Sequence, residues 1–265
     1  MVADAAIELD AAPPARVAPE YPGTCPTFVD GRNTGFVSAG LERTFVLELP
    51  ENPEGAPLLF AWHWLGGSAA QLNNALGFGG LADRENAIVV LPESEGAQFE
   101  WRFDRAETNN ADLVLFDDLL GCLSEQFSVD LDRVHSTGHS AGGLWTSFLT
   151  IHRSEWLAST AVMSGGSDPI TYRTPEVAIP VLLIWGGPND TFRNAINFQE
   201  TSLFFSEHLR EDGHFVAHCV HSGGHTPPPD AANLVWRWLE AHPAGVDEPY
   251  VDGLPADYPN ICSLP

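Results

Sequence analysis

The sequence contains no lysine: its 12 basic residues are all arginine, against 36 Asp and Glu, which gives a formal net charge of −24 over 265 residues. Such a surface repels nucleic acid and anionic membranes, and excludes both as partners. Counterion screening in salty surroundings and a GC-rich codon composition account for the bias equally well. Long apolar runs are missing too. None approaches the ~20 residues needed to cross a bilayer. Cysteine is scarce, and Cys25, Cys122, Cys219 and Cys262 show no C-x-x-C spacing, which argues against a zinc knuckle or a redox pair. Their even number favours disulfides and an oxidising compartment. Of the three possible connectivities, a 25–262 bridge stapling the two terminal tails is the first expectation.

The opening stretch "MVADAAIELDAAPPARVAPEYPG" has neither a basic start nor an apolar core. It is not a signal peptide as it stands, and reads as an Ala/Pro linker of the kind left once an export signal is gone. The expected location is therefore secreted or cell-envelope. A 44% hydrophobic share with 18% charged residues suits one packed domain. The segmentation reads as a linker and tail over 1–35, a catalytic domain over 36–242 and a Pro/Gly-rich surface tail over 243–265. A monomer is favoured.

Between residues 36 and 241 short apolar runs alternate with helical patterns, the signature of a doubly wound, mostly parallel α/β sheet with helices on both faces. "ERTFVLELP" (42–50) alternates as an antiparallel starting strand. "APLLFAWHW" (56–64), "NAIVVLP" (86–92), "RVHSTGHS" (133–140), "LASTAVMS" (157–164), "IPVLLIWGG" (179–187) and "HFVAHCVH" (214–221) read as further strands. Helices are expected around 69–86 (broken by "GFGG"), 109–127 behind an Asn/Asp cap, from the "GGLW" after Ser140, at 193–212 and at 229–242.

One strand runs directly into Gly138-His139-Ser140-Ala141-Gly142, a G-x-S-x-G turn followed by a helix. That context exposes a serine hydroxyl at the top of an α/β-hydrolase sheet. A serine hydroxyl is a poor nucleophile unless a base, an orienting acid and oxyanion donors stand nearby. In this fold they come from strand-end loops in the order Ser, Asp, His. Asp190 in "WGGPNDTF" is the acid candidate and Asp168 in "GGSDP" the runner-up. His225 in "HSGGHTPPPD" is the base candidate, with His221 its nearest competitor. The backbone amides of Ala141 and of Leu65, in "HWLGGS", are the oxyanion donors, with Trp64 the weaker choice. The spacing of His214, His218, His221 and His225 would suit a metal on a helix, but "HFVAHCVH" alternates as a strand and splits them between faces. No metal or organic cofactor is expected. A histidine base must be neutral, so activity is expected to fall below about pH 6, the ordinary histidine range.

Over roughly 40–240 the chain resembles α/β-hydrolase esterases of the polyhydroxybutyrate-depolymerase and feruloyl-esterase type. The resemblance rests on "HWLGGSA", "NNADLVLFDDLL" before "DLDRVHSTGHSAGG", "GGPNDTF" and "GGHTPPP". It implies the α/β-hydrolase fold, with Ser140 as nucleophile, Asp190 as acid, His225 as base, and Leu65 and Ala141 as oxyanion donors. Trp64 departs from the family's glycine and Pro227 from its frequent tryptophan, and both reshape the cleft. Little chain separates Ser140, Asp190 and His225 beyond strands and helices, so no lid domain is expected. The open cleft suits bulky or polymeric esters, polyhydroxyalkanoate or feruloyl. Trp64, Trp101 and Trp185 are candidates for an aromatic substrate platform, whereas Trp236 and Trp238 read as packing. A serine peptidase and a non-catalytic secreted binding module on the same fold remain the alternatives.

Overall fold

The computed structural model describes residues 16–104, 106–193 and 195–265. Residues 1–15 of the segment read as N-terminal linker and tail lie outside them. Chain order runs β1 (Gly31–Ser38), β2 (Leu41–Glu48), β3 (Leu58–Trp62), α1 (Ala69–Leu76), α2 (Gly80–Glu85), β4 (Ile88–Pro92), α3 (Ala111–Phe127), β5 (Val134–His139), α4 (Ala141–His152), β6 (Ser159–Met163) and β7 (Val181–Trp185). It continues with β8 (Thr191–Phe192), β9 (Ile196–Asn197), α5 (Phe198–Glu211), β10 (Val216–Val220), α6 (Ala231–Ala241) and β11 (Cys262–Ser263).

Nine strands form one sheet in the order β1-β2-β4-β3-β5-β6-β7-β10-β11, and β8 and β9 make a separate hairpin. From β4 to β10 every neighbouring pair is parallel. β1, β2 and β11 run antiparallel at the two ends. The central strands are buried along their whole length, which is why they read as continuous apolar runs and not as alternating ones. Successive residues still serve opposite layers. Leu58, Phe60 and Trp62 of β3 pack with α3 and α4, whereas Leu59 and Ala61 pack with α1 and α6. This doubly wound arrangement matches the class expected from the alternation of runs.

Three local features differ from expectation, each for a physical reason. β1 lies partly inside the stretch read as linker; "GRNTGFVS" carries two glycines and no clean alternation, so only its pairing with β2 marks it as a strand. The helix expected from 193 begins at Phe198, because Asn197 caps it by accepting from the amides of Gln199 and Glu200, and the residues before it turn back as the β8–β9 hairpin. The tail after 243 does not end as a surface wrap, since β11 joins the sheet beside β10.

The disulfide expectation is corrected. Cys25 pairs with Cys122, and Cys219 with Cys262. A 25–262 bridge is not formed because the two tails end on opposite sides of the sheet: Cys25 packs with the α3 and α4 layer, Cys262 with the α6 layer.

A buried ion pair fixes the return of the long loop after β4. The Arg43 guanidinium donates to the Asp112 carboxylate at 2.7 Å with both side chains fully buried, and Arg102 donates to the same oxygen at 2.6 Å. Removing either buried partner would strand a charge.

The Cys25–Cys122 bridge closes a loop of 97 residues, a length for which chain entropy gives a stabilisation of about 4.7 kcal/mol. Replacing both cysteines by serine is therefore expected to lower the unfolding free energy, read from urea denaturation, by a few kcal/mol (roughly 3–5). A loss under about 1 kcal/mol would show that the bridge constrains nothing the unfolded chain would explore.

Candidate active site

Ser140 sits between the end of β5 and the start of α4 with φ 59° and ψ −117°. For a residue with a Cβ this is a sparsely populated conformation, of the sort found at functional turns. It is held from both sides: the Ser140 amide donates to the Met163 carbonyl at 3.0 Å, and its own carbonyl accepts from Leu144 at 2.8 Å. The turn needs glycine at 142 because a Cβ there would overlap the Trp62 carbonyl. α4 can thus press against the end of β3.

Asp190 follows β7 through a single 3-10 turn, Gly187–Asn189, and is completely buried. One carboxylate oxygen accepts from the Ser164 hydroxyl and the Gly186 amide, both at 2.8 Å. The other accepts from His225 Nδ1 at 2.7 Å. Burial pushes the Asp190 pKa up, but the hydrogen bonds from His225, Gly186 and Ser164 outweigh it and hold the carboxyl below its ordinary value. The ionised acid fixes the imidazole as the Nδ1–H tautomer. Nε2 is then left to accept from the Ser140 hydroxyl, 2.9 Å away.

The loop carrying His225 reaches this position because Gly186 and Gly224 meet backbone to backbone. The Gly224 amide donates to the Gly186 carbonyl at 3.2 Å, and a Cβ on Gly186 would overlap Gly224.

Two further rings define the imidazole plane. Phe198 stacks on His225 at 4.6 Å between centroids and 8° between planes, and His139 lies at 5.2 Å and 29°. Burial first, and the neighbouring His225 second, push His139 down to about 3, so it stays neutral and adds no positive charge beside His225.

Ala141 opens α4, and the first amides of a helix have no intrahelical acceptor. It shares with Leu65 and Ser140 a cavity of about 200 Å³ whose remaining walls include Phe99, Phe103, Phe192 and Phe198. Among the described residues, Ser140 is the only polar one lining it.

Other sequence candidates lie elsewhere. Asp168 accepts from the amides of Ile170 and Thr171, as a turn cap. His221 accepts from the Gly223 amide. His214 and His218 bond Ile179 and Ser206 separately. The tryptophan platform is corrected. Trp101 is wholly buried and donates to the His63 carbonyl at 2.8 Å, and Trp185 is buried against His218. Neither has a face to offer a substrate. Trp64 is half-buried and edge-on to His139. The aromatic surface is made of phenylalanines instead, from the loop after β4 and from the hairpin and start of α5. Ser164 and Phe198 carried no motif and went unseen in the sequence.

No protein-family model matches the chain. It is 30% identical over 172 residues to Feruloyl esterase D of Neurospora crassa, a match covering 57% of each chain. To Feruloyl esterase C of Emericella nidulans it is 26% identical over 213 residues, covering 71% of this chain and 77% of the relative. The chain thus spans little more than half the length of the first of these relatives. Among solved structures, native sOPH superposes with a TM-score of 0.75 at 19% identity, covering 94% of this chain and 96% of the other. The fold is the α/β-hydrolase fold, as the strand order and a thermostable esterase at TM-score 0.56 also indicate.

Two outcomes follow from the site. Ser164→Ala removes one donor from the buried Asp190 carboxylate, and a hydrogen bond to a charged group is worth about 1.5–3 kcal/mol; the rate of Ser140 labelling by a fluorophosphonate is expected to fall about tenfold without loss of fold, as judged by circular dichroism. Burial pushes His135 and His139 down to about 3 and His218 to about 4. The unfolded chain therefore binds protons that the folded one refuses from about pH 6.5 downward. Stability should be full above that pH and decline toward pH 4, seen as a falling urea midpoint. An unchanged midpoint at pH 5 would contradict the burial of these rings.

Proposed function

We propose that the chain is a serine carboxylic-ester hydrolase working through Ser140, His225 and Asp190 and a covalent acyl-enzyme. The observation that carries this reading is the unbroken hydrogen-bonded path from buried Asp190 through His225 to the Ser140 hydroxyl, at the wall of an apolar cavity. His225 Nε2 takes the hydroxyl proton as Oγ attacks the ester carbonyl. Asp190 holds the resulting imidazolium, and the Leu65 and Ala141 amides receive the oxyanion. The imidazolium returns its proton to the departing alcohol. Water, activated by the same histidine, then releases the acid. No step calls for a metal or an organic cofactor.

The substrate reading rests on the cavity walls. Four phenylalanines around Ser140 favour an acyl group with a flat or bulky hydrocarbon face, since rings stack with a gain beyond area burial alone. The relatives named as feruloyl esterases support an aromatic acyl group over a polyhydroxyalkanoate unit, whose polar backbone oxygens would find no partner on these walls. His225 is partly exposed beside Ser140, which favours an alcohol side that extends into solvent and can be large or polymeric. Two disulfides support action outside a reducing cytoplasm.

The test is a panel of p-nitrophenyl butyrate, methyl ferulate and a polyhydroxybutyrate film, given to the wild type and to Ser140→Ala. Methyl ferulate is expected to be the preferred member by kcat/KM, with Ser140→Ala lowered by at least about a thousandfold on each ester that turns over. Equal rates for the two proteins would remove the nucleophile assignment. Preference for the film would move the substrate class to aliphatic polyesters.

A further inference from the structure

An oxyanion donor is useful only if its N–H already points where charge will develop. The loop that carries Leu65 has glycines at 66 and 67, so its direction has to be set from outside. Four hydrogen bonds set it. The Trp101 indole donates to the His63 carbonyl at 2.8 Å. His63 Nδ1 donates to the Trp64 carbonyl at 2.9 Å, and its Nε2 accepts from the Ser94 amide at 3.2 Å, which fixes the ring tautomer. The Gly66 amide donates to a carboxylate oxygen of Glu100 at 2.9 Å. The peptides on both sides of Leu65 are thereby held. Because each peptide is planar, anchoring the Trp64 carbonyl anchors the Leu65 N–H on the same plane.

We propose that Glu100 is a positioning residue for the oxyanion loop, fixing the Leu65–Gly66 peptide and coupling it to the aromatic wall of the acyl cavity. Its second carboxylate oxygen accepts from the Ser94 hydroxyl. The side chain is thus tied to the end of β4 and cannot drift with the loop. Glu100 itself adopts φ 68°, a left-handed conformation that residues with a Cβ rarely hold unless their surroundings enforce it. Its neighbours Phe99 and Phe103 line the cavity, and Trp101 between them supplies the second latch onto the same loop. One short segment, Phe99 to Phe103, therefore sets both where the acyl group sits and where the oxyanion is received. The Arg43–Asp112–Arg102 cluster holds the far end of that segment.

This inference rests on Ser140 being the nucleophile and Leu65 an oxyanion donor. The experiment compares the wild type, Ser140→Ala, Glu100→Ala and Glu100→Gln on p-nitrophenyl acetate and butyrate, below any thermal transition. Glutamine keeps the geometry, with Oε1 accepting from Gly66 and Nε2 donating to the Ser94 hydroxyl. The expected result is a fall in kcat of about tenfold to a hundredfold for Glu100→Ala. KM for the acetate should move less than about twofold, because so small an acyl group leaves the aromatic wall unused. KM for the butyrate should rise. Glu100→Gln should stay within about threefold of wild-type kcat, which a role confined to charge would not allow. Wild-type kcat in Glu100→Ala, or equal losses in the alanine and glutamine variants, would overturn the proposal. If Glu100→Ala does not fold, Ser94→Ala takes its place: it frees one carboxylate oxygen, and an unchanged kcat there would also overturn it. Full activity of Ser140→Ala would instead bring down the hydrolase reading, leaving the two failures distinct.

Discussion

The site depends on backbone meeting backbone where side chains would ordinarily intervene. The loop after β7 and the loop after β10 touch at Gly186 and Gly224, so close that a single Cβ would part them. That contact brings Asp190 and His225, 35 residues apart in sequence, to 2.7 Å. A second contact of the same kind, Gly142 against the Trp62 carbonyl, seats α4 under Ser140.

Around this centre the sheet acts as a ruler. Parallel strands end at one edge, and loops leaving that edge carry Leu65, Ser140, Asp190 and His225 in turn. The edges of the sheet are secured by other means. Antiparallel β1 and β2 close one side, with the Cys25–Cys122 bridge joining the preceding segment to α3. β11 closes the other, joined to β10 by Cys219–Cys262. β10 leads directly into the loop of the base, so the C-terminal strand and its disulfide stabilise the element that delivers His225. With net charge −24, self-repulsion opposes compaction, and covalent closure at both edges counters it.

Much of this was legible in the sequence, and what was not follows a pattern. The buried strands announced themselves as apolar runs, and the chain order Ser140, Asp190, His225 followed from where those runs ended. That the cysteines pair was legible from their even number, but their connectivity was not, because sequence separation carries no information on which face of a sheet a tail crosses: Cys25 and Cys262 are both terminal yet serve opposite layers. Trp236 and Trp238 pack as their place on the last helix implies, but the direction of Trp101 and Trp185 was not legible, because proximity to a strand end does not say which way a ring points. Trp101 and Trp185 turn into the core, and the phenylalanines of the same loops turn toward Ser140. Ser164, Phe198 and Glu100 act through contacts between segments distant in sequence, and no local pattern marks such residues.

The central claim is that Ser140 is an activated nucleophile beside a preformed oxyanion site. Reaction with a fluorophosphonate, followed by peptide mass spectrometry, tests it most directly, because phosphonylation requires an activated serine but no knowledge of the natural ester. The account predicts one label per chain, on the peptide containing Ser140, formed rapidly at pH 8 and lost in His225→Ala. An unlabelled chain, or a label distributed over other serines and unaffected by that substitution, would contradict it.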